Sequence, residues 1–396
     1  MATSAERPDA MTAELRDAVR RGLGEALPPR PDADAVDRCL RRVLPLTRKA
    51  GITRLGDLTR LDRLELPVVQ AVRPEALSEV TSLGRGHTVA EAAVGAIMES
   101  LERHHAERIA AESTFHASAD DLGIAGGLFD SLLAPGIGPD WRRAVIPWIS
   151  GWNFSDDTPQ PVPLELVHTR YTEPPPAGDG LFLRTTTGLA CHTDGLRAFL
   201  HGLFECIERD AVARAFVTHG FFDRMRISPS NLGCDRLLAR AADRGISVAL
   251  WHAPSPAGIA VVWCQTIESS PAEPLLALPT EGYAAAATME AAAAGAILEA
   301  LAARPGAISG ARDDQTRAHY RRSTDRLVVQ ARDLILQSAG KPPAPPAAIE
   351  TLAALMERVA AGLGPILAVP IASDPAAGVA CIRTLLPKAR HFTEVR

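Results

Sequence analysis

The chain has 396 residues, 46% of them hydrophobic and 22% charged, with a formal net charge of −5 at pH 7. That length exceeds the roughly 250–300 residues one core usually serves, so one large intertwined domain or two lobes are expected. The negative balance argues against a nucleic-acid partner, which needs a basic face. No apolar run reaches the roughly 18–20 residues of a membrane-spanning helix, so no membrane partner is expected. The stretch from Met1 to Arg30 lacks the apolar segment of a signal peptide. The cysteines (Cys39, Cys191, Cys206, Cys234, Cys264 and Cys381) are scattered without a C-x-x-C pair, as buried thiols in a reducing cytoplasm would be.

Residues 11–48 carry helical periodicity broken at Pro28-Pro29-Arg30-Pro31, which predicts an N-terminal helical extension (1–48) ahead of a main domain (49–396). The extension either recognises a partner or packs as a structural element. From Gly51 the texture changes, and Leu66 to Val72 reads as a strand ending at Pro74. Helical spacing runs from Thr88 to Ile109, and strand-like pieces follow around Ile146 and Leu164. A second long helix is predicted from about Asp194 to Phe216, and a third over residues 232–243. Strands are expected at Ser247–Trp251 and Gly258–Gln265. The Ala-rich run Ala284–Ala303 is expected to be helix ending at Pro305-Gly306, because alanine has the best helix propensity. After the Pro-rich stretch at Pro342 to Pro346 come a last helix, about 348–363, and two strands, Pro365–Ile371 and Gly378–Leu386. Strands alternating with helices indicate a mixed α/β (α+β) core.

Three of these helices echo one another. Glu99-Ser-Leu-Glu102-Arg103 and Glu205-Cys-Ile-Glu208-Arg209 are the same E-x-x-E-R unit, and Glu299-Ala-Leu-Ala-Ala-Arg304 is a looser third copy. The first two follow loops rich in Gly and Thr, Thr81 to Thr88 and Arg184 to Thr193. Residues i and i+3 share a helix face, so each pair of glutamates projects together. Two adjacent carboxylates suit a hard cation such as Mg2+, which also takes oxygens from nucleotide phosphates. Arg103, Arg209 and Arg304 supply forked donors for phosphate or carboxylate. The residues alone leave two readings open, because E-x-x-E-R also describes an i,i+4 ion pair on a solvated helix face. A P-loop, a complete G-x-G-x-x-G fingerprint and a G-x-S-x-G elbow are all missing.

In combination, these blocks resemble the YcaO family, from about Gly51 to Leu386. Gly51-Ile-Thr-Arg54 through Asp62 with Leu66-Pro-Val68 is similar to that family's opening segment, and Ser82-Leu-Gly-Arg-Gly86 to its S-x-G-K-G loop. Ala92–Arg103, Thr187-Gly-Leu-Ala190 with Glu205–Ala211, and Glu299–Arg304 with Ile308–Asp314 match its remaining blocks in order. The resemblance implies intertwined sheets flanked by long helices, with ATP and Mg2+ as cofactors. It implies Glu99, Glu102, Glu205 and Glu208 as metal ligands. It implies Ser82, Arg85, Thr187, Glu299 and the arginines Arg103, Arg209, Arg304 and Arg312 as nucleotide-contacting or bracing positions. The implied reaction is attack on a backbone amide carbon of a ribosomally made precursor peptide, phosphorylation of the amide oxygen, and loss of phosphate.

Departures from the family pattern bear on the product. Arg85 stands for the usual Lys, Thr187 for Asn, His192 for Gly, Ala96 for Ser and Ala302 for Gln. Both E-x-x-E pairs are intact, which favours an active enzyme over a non-catalytic peptide-binding partner. The segment from Leu386 to Arg396 lacks the Pro-x-Pro-x-Pro tail of many azoline formers, and no fused leader-binding domain is recognised. That shifts the expectation toward thioamide formation with a TfuA-like or leader-binding partner; azoline and macroamidine formation are the alternatives. A homodimer is expected. His104-His105 reads as polar surface or a support for the site, Trp148, Trp152 and Trp251 as core or as stacking platforms, and Arg317, Arg321 and Arg322 as a solvated face.

Overall fold

The structure is a computed structural model that describes residues 10–217, 226–229, 232–269, 275–276, 279–310, 326–336 and 344–391. Arg312, Arg317, Arg321 and Arg322 lie outside the described residues.

The chain opens with helices α1 (Ala10–Gly22) and α2 (Ala33–Val43) and the single turn α3 (Leu46–Lys49). Asp32 caps α2 by accepting the Ala35 N–H at 2.7 Å. Strands β1 (Arg54–Asp57), β2 (Val68–Val72) and β3 (Thr81–Arg85) then form a three-stranded antiparallel sheet, across which α4 (Val89–Glu107) lies. A second sheet starts with β4 (Thr114–Ala117), β5 (Ile146–Asn153), β6 (Thr158–Pro163) and β7 (Leu189–His192), and α5 (Gly195–Val217) follows. The third sheet, β8 (Arg226–Ile227), β9 (Ile246–His252), β10 (Ala260–Glu268) and β11 (Thr280–Ala286), is antiparallel in the order β11-β10-β9-β8, with α6 (Asp235–Asp243) between β8 and β9 in sequence. Helices α7 (Met289–Ile308), α8 (Arg326–Leu336) and α9 (Leu352–Leu363) come next. The chain then returns to the second sheet, where β12 (Leu367–Asp374) and β13 (Val379–Leu385) insert between β5 and β7.

Helix α5 is the hinge of the architecture, packing on β13 and β7 of one sheet and on β10 and β11 of another. Phe199, Leu203 and Ile207 of α5 share one core with Trp251, Trp263 and Ile382. The N-terminal helices belong to the same body. Leu15 and Val19 of α1 join the α5 core, and Cys39 and Val43 of α2 join the core beneath α4.

Two strand–helix units are built alike. Thr88 and Thr288 cap α4 and α7 by accepting the N–H groups of Glu91 and Ala291, each cap stabilising by about 1 kcal/mol. Gly84 of β3 and Gly282 of β11 let their helices lie directly on the strand. A Cβ at Gly84 would stand 1.9 Å from the Ala92 carbonyl oxygen, and one at Gly282 would stand 2.3 Å from that of Ala296.

The predicted helices and strands are present, but the expected loops Thr81–Thr88 and Arg184–Thr193 contain strands β3 and β7, the strand expected around Leu164 ends at Pro163, and the alanine-rich run is divided. Ala284, Ala285 and Ala286 are strand, paired with Val262, Val261 and Ala260 of β10. Alanine's helix propensity yields here to pairing with β10, and the Thr288 cap starts the helix at Met289. The same helix continues past Pro305 to Ile308, because its last turn is buried and Arg304 is tied down by ion pairs. α7 is apolar and long enough to span a membrane, yet 67% of its apolar window is buried inside the fold, as for a core helix. All six cysteines are free and buried.

Candidate active site

Helices α4, α5 and α7 bring Glu99, Glu102, Glu205, Glu208 and Glu299 into one electrostatic neighbourhood. Backbone N–H groups hold three of them. Leu83 N–H donates to Glu99 Oε2 at 3.0 Å, and Gly188 N–H donates to Glu205 Oε2 at 3.0 Å. The Cys191 N–H donates to the Glu102 carboxylate. Gly188 can face Glu205 because its φ is +81°, and a Cβ there would meet the Thr384 carbonyl oxygen at 2.1 Å.

Arginines bind the group together without neutralising it. Arg103, almost fully buried, donates to Glu99 Oε1 at 2.9 Å and also pairs with Glu79. Arg209 Nε stands 3.5 Å from Glu208 Oε1 and 3.8 Å from Glu205 Oε1, with its guanidinium 5.8 Å from the Tyr283 ring centroid. Arg85 reaches across from β3 to α7, donating to Glu299 Oε2 at 2.8 Å. Five carboxylates thus share three cations, one of them also committed to Glu79.

The excess shows in proton affinity. Burial pushes the Glu208 carboxyl up to about 8, and Glu299 and Glu205 add to this against the pull of Arg209. Glu102 is raised well above the usual carboxylate range by burial, then by Glu205 and Glu99. Glu99 is raised by burial in spite of Arg103. Carboxylates that hold protons for want of a cation are what a divalent ion displaces protons from. Among the described residues no three His, Cys, Asp or Glu side chains form a complete metal cage. The glutamates are therefore not gathered round one ion as they stand; Mg2+ takes one or two carboxylates per ion and fills its octahedron with water and phosphate oxygens. Glu99, Glu102, Glu205 and Glu208 are the side chains that would hold it, and the exposed edges of Arg85 and Arg209 would face a nucleotide's phosphates.

The remaining expected residues are placed less uniformly. Ser82 is buried on the face of β3 that α4 covers. Thr187 begins the Gly188 turn, its Oγ1 2.9 Å from that of Thr185. Arg304 is not gathered with the others. Its guanidinium, 1% exposed, donates to both Asp62 oxygens at 2.8 and 3.1 Å and to Glu268 Oε1 at 2.8 Å. It is therefore taken up by Asp62 and Glu268 and has almost no exposed edge. Burial, then Arg108, pulls the His104 imidazole down to about 4, and it lies against Arg108 in the last turn of α4. Trp148, Trp152 and Trp251 are buried core. Sequence reasoning missed Glu79, Tyr283 and His201, the last within electrostatic reach of Glu205, Arg85 and Glu299. Only Asp62 among the bracing acids carried a signal, its place in the opening block.

Antiparallel sheets interleaved with three acid-bearing helices make up the candidate site. The family pattern described as YcaO cyclodehydratase, ATP- and Mg2+-binding, matches residues 83–390. The chain belongs to the YcaO family, whose members are ATP-dependent peptide-modifying enzymes. An uncharacterised protein of Methanothermobacter thermautotrophicus is 33% identical over 278 residues, 69% of this chain and 70% of that protein. An uncharacterised protein encoded in a tfuA 3′ region of Rhizobium leguminosarum bv. trifolii is 29% identical over 361 residues, covering 87% of this chain and 85% of its own length. The YcaO protein of Methanopyrus kandleri, solved with AMPPCP and Mg2+, has the same fold, with a TM-score of 0.66 at 23% identity over 91% of this chain and 92% of that one. A heterocyclase solved with substrate and cofactor aligns at a TM-score of 0.69 and 16% identity, covering 95% of this chain, which spans 56% of that longer protein.

Proposed function

We propose that this chain uses ATP and Mg2+ to activate a backbone amide of a ribosomally made precursor peptide and exchanges its oxygen for sulfur. The observation that carries amide activation is the junction of five glutamates from three helices with too few cations to balance them. Bound ATP supplies the phosphoryl group, and Mg2+ neutralises the charge on its oxygens. Glu99, Glu102, Glu205 and Glu208 hold the metal, each fixed by backbone N–H or arginine so that little reorganisation is needed. Arg85 and Arg209 face the transferring group. In balance, hydrosulfide adds to the amide carbon, the amide oxygen departs within inorganic phosphate, and the hydrosulfide proton leaves on that phosphate.

The choice of sulfur is supported by the relative encoded beside tfuA, and with it a TfuA-like partner. We place the reaction in the cytoplasm and assign the active form as a homodimer. The test is incubation of the purified chain with ATP, Mg2+, hydrosulfide and candidate precursor peptides, with and without a TfuA-like protein. Phosphate release coupled to an oxygen-to-sulfur mass change supports the proposal, with both abolished by Glu102→Ala or Glu208→Ala. Loss of water would assign an azoline or amidine instead. No release with any peptide would overturn amide activation.

A further inference from the structure

Three aromatic side chains stand opposite one another on the third sheet. Trp251 of β9 faces Trp263 of β10, and Trp263 faces Tyr283 of β11. The ring centroids lie 4.7 and 6.4 Å apart, and the second pair is within 7° of parallel. The ladder ends at α5, where the Arg209 guanidinium lies 5.8 Å from the Tyr283 centroid. A cation within about 6 Å of a ring is attracted to its electron-rich face.

Tyr283 is itself fixed at its far end. Its hydroxyl donates to Glu281 Oε2 at 2.6 Å, and Gln265 of β10 donates to Glu281 Oε1 at 2.7 Å. Glu281 and Tyr283 are two apart on one strand and so share a face of the sheet. Burial, and then Glu281, raise the phenol's pKa above its ordinary value, so the hydroxyl remains a donor. Donation to a carboxylate polarises the ring and strengthens its hold on a cation.

The edge of Arg209 is gripped less firmly than that of its counterpart on α4. Arg209 Nε stands 3.5 Å from Glu208 and 3.8 Å from Glu205, the second beyond hydrogen-bond length, whereas Arg103 meets Glu99 at 2.9 Å. Glu205 and Glu208 are also assigned to the metal, so Arg209 cannot depend on them once the site is loaded. Contact through the guanidinium face occupies none of its in-plane N–H groups, and so does not compete with phosphate for them.

We propose that Tyr283, held by Glu281 and Gln265, is the positioning residue that keeps Arg209 aimed at the transferring phosphoryl group while Glu205 and Glu208 serve the metal. The proposal rests on the amide-activation reading in one respect, that phosphate is the partner of Arg209.

The contact can be read without turnover, on the full chain. Calorimetric titration with AMPPCP and Mg2+ measures nucleotide binding. The NMR signal of the Arg209 Nε–H, assigned by its loss in Arg209→Lys, reports the ring: upfield in the unliganded wild type, kept there by Tyr283→Phe and released by Tyr283→Leu. Tyr283→Leu is expected to weaken AMPPCP binding roughly tenfold, and Tyr283→Phe, which keeps the ring, by less than about threefold. In an Arg209→Met background Tyr283→Leu should weaken binding no further, because both substitutions remove the same contact. Should Tyr283→Leu melt too early, Glu281→Gln is measured instead, with a weakening of about twofold or more that disappears in Arg209→Met. Equal losses in both backgrounds would show the ring acting through core packing and overturn the proposal. So would wild-type affinity in Tyr283→Leu when Arg209→Met binds weakly. Wild-type affinity in Arg209→Met would remove Arg209 from the nucleotide and sink that assignment together with the proposal. Failure to release phosphate with any peptide would overturn amide activation and leave this binding result standing.

Discussion

Arg85 Nη2 meets Glu299 Oε2 at 2.8 Å, joining β3 to a helix 214 residues further along the chain and placing a cation between two acid-bearing helices. Both side chains are partly exposed, at 40% and 25%, so the pair contributes little to stability, about 0–1 kcal/mol. Its effect is on the site. Glu299 raises the Glu208 carboxyl and Arg85 lowers it. Glu299→Gln is therefore expected to lower the Glu208 pKa and Arg85→Met to raise it, with melting temperatures nearly unchanged. Carboxyl-resolved NMR titration of the three proteins checks the signs, and equal shifts in one direction would refute them.

Stability of the unliganded chain should depend on pH through the same group. Glu208 is pushed up to about 8 in the folded state, against an unfolded carboxyl near the ordinary value of about 4.3. The folded state then binds the extra proton, so its stabilising contribution is complete below the unfolded pKa and is lost as pH rises toward and through 8. Mg2+ with AMPPCP favours the ionised form and should stabilise more at pH 8 than at pH 6. Thermal melts at both pH values, with and without the ligand, measure this. A larger ligand effect at pH 6 would contradict it.

Arg304 separates bracing from binding. Among the described residues it is the only cation on Asp62, and it shares Glu268 with Arg63, whose Nη2 is 3.2 Å from Glu268 Oε2. Arg304→Met would leave two buried carboxylates short of a partner, a loss of about 3–5 kcal/mol. The expected phenotype is a lowered melting temperature with unchanged KM for ATP at permissive temperature. Unchanged melting with a raised KM would instead put Arg304 on the nucleotide.

The helices and their acid pairs were legible because i, i+3 spacing is local and leaves its mark in any short window. Spacing put Glu99 with Glu102 and Glu205 with Glu208 on shared helix faces, but only packing brings the two pairs near each other. Glu79 and Glu268 left no such mark, since Arg103 and Arg304 acquire them only when segments distant in sequence are packed together. Strand Ala284–Ala286 was illegible for a related reason. Its state depends on the free edge of β10, and alanine composition says nothing about edges. Arg383 is the one charged residue of an otherwise largely apolar strand, and only the structure shows that it is buried with two nitrogens lacking a partner among the described residues.

Gly84 offers the sharpest test of how the site is assembled. Its strand lies so close to α4 that an added Cβ would fall 2.2 Å from the Ala96 nitrogen as well as 1.9 Å from the Ala92 oxygen, and both are backbone atoms that no rotamer change can move. Gly84→Ala must therefore push α4 off β3. Overpacking of this kind costs about 1–3 kcal/mol or more, and it lengthens the bond from Leu83 N–H to Glu99 one residue away. Loss of Mg2+-dependent AMPPCP binding is expected along with the lowered melting temperature. Gly123→Ala, at a turn where a Cβ meets nothing within 4 Å, carries only the strain of its positive φ and should keep nucleotide binding. Calorimetric titration of both variants decides the matter: if Gly84→Ala melts early yet binds AMPPCP as well as wild type, the strand–helix contact sets stability and does not position Glu99.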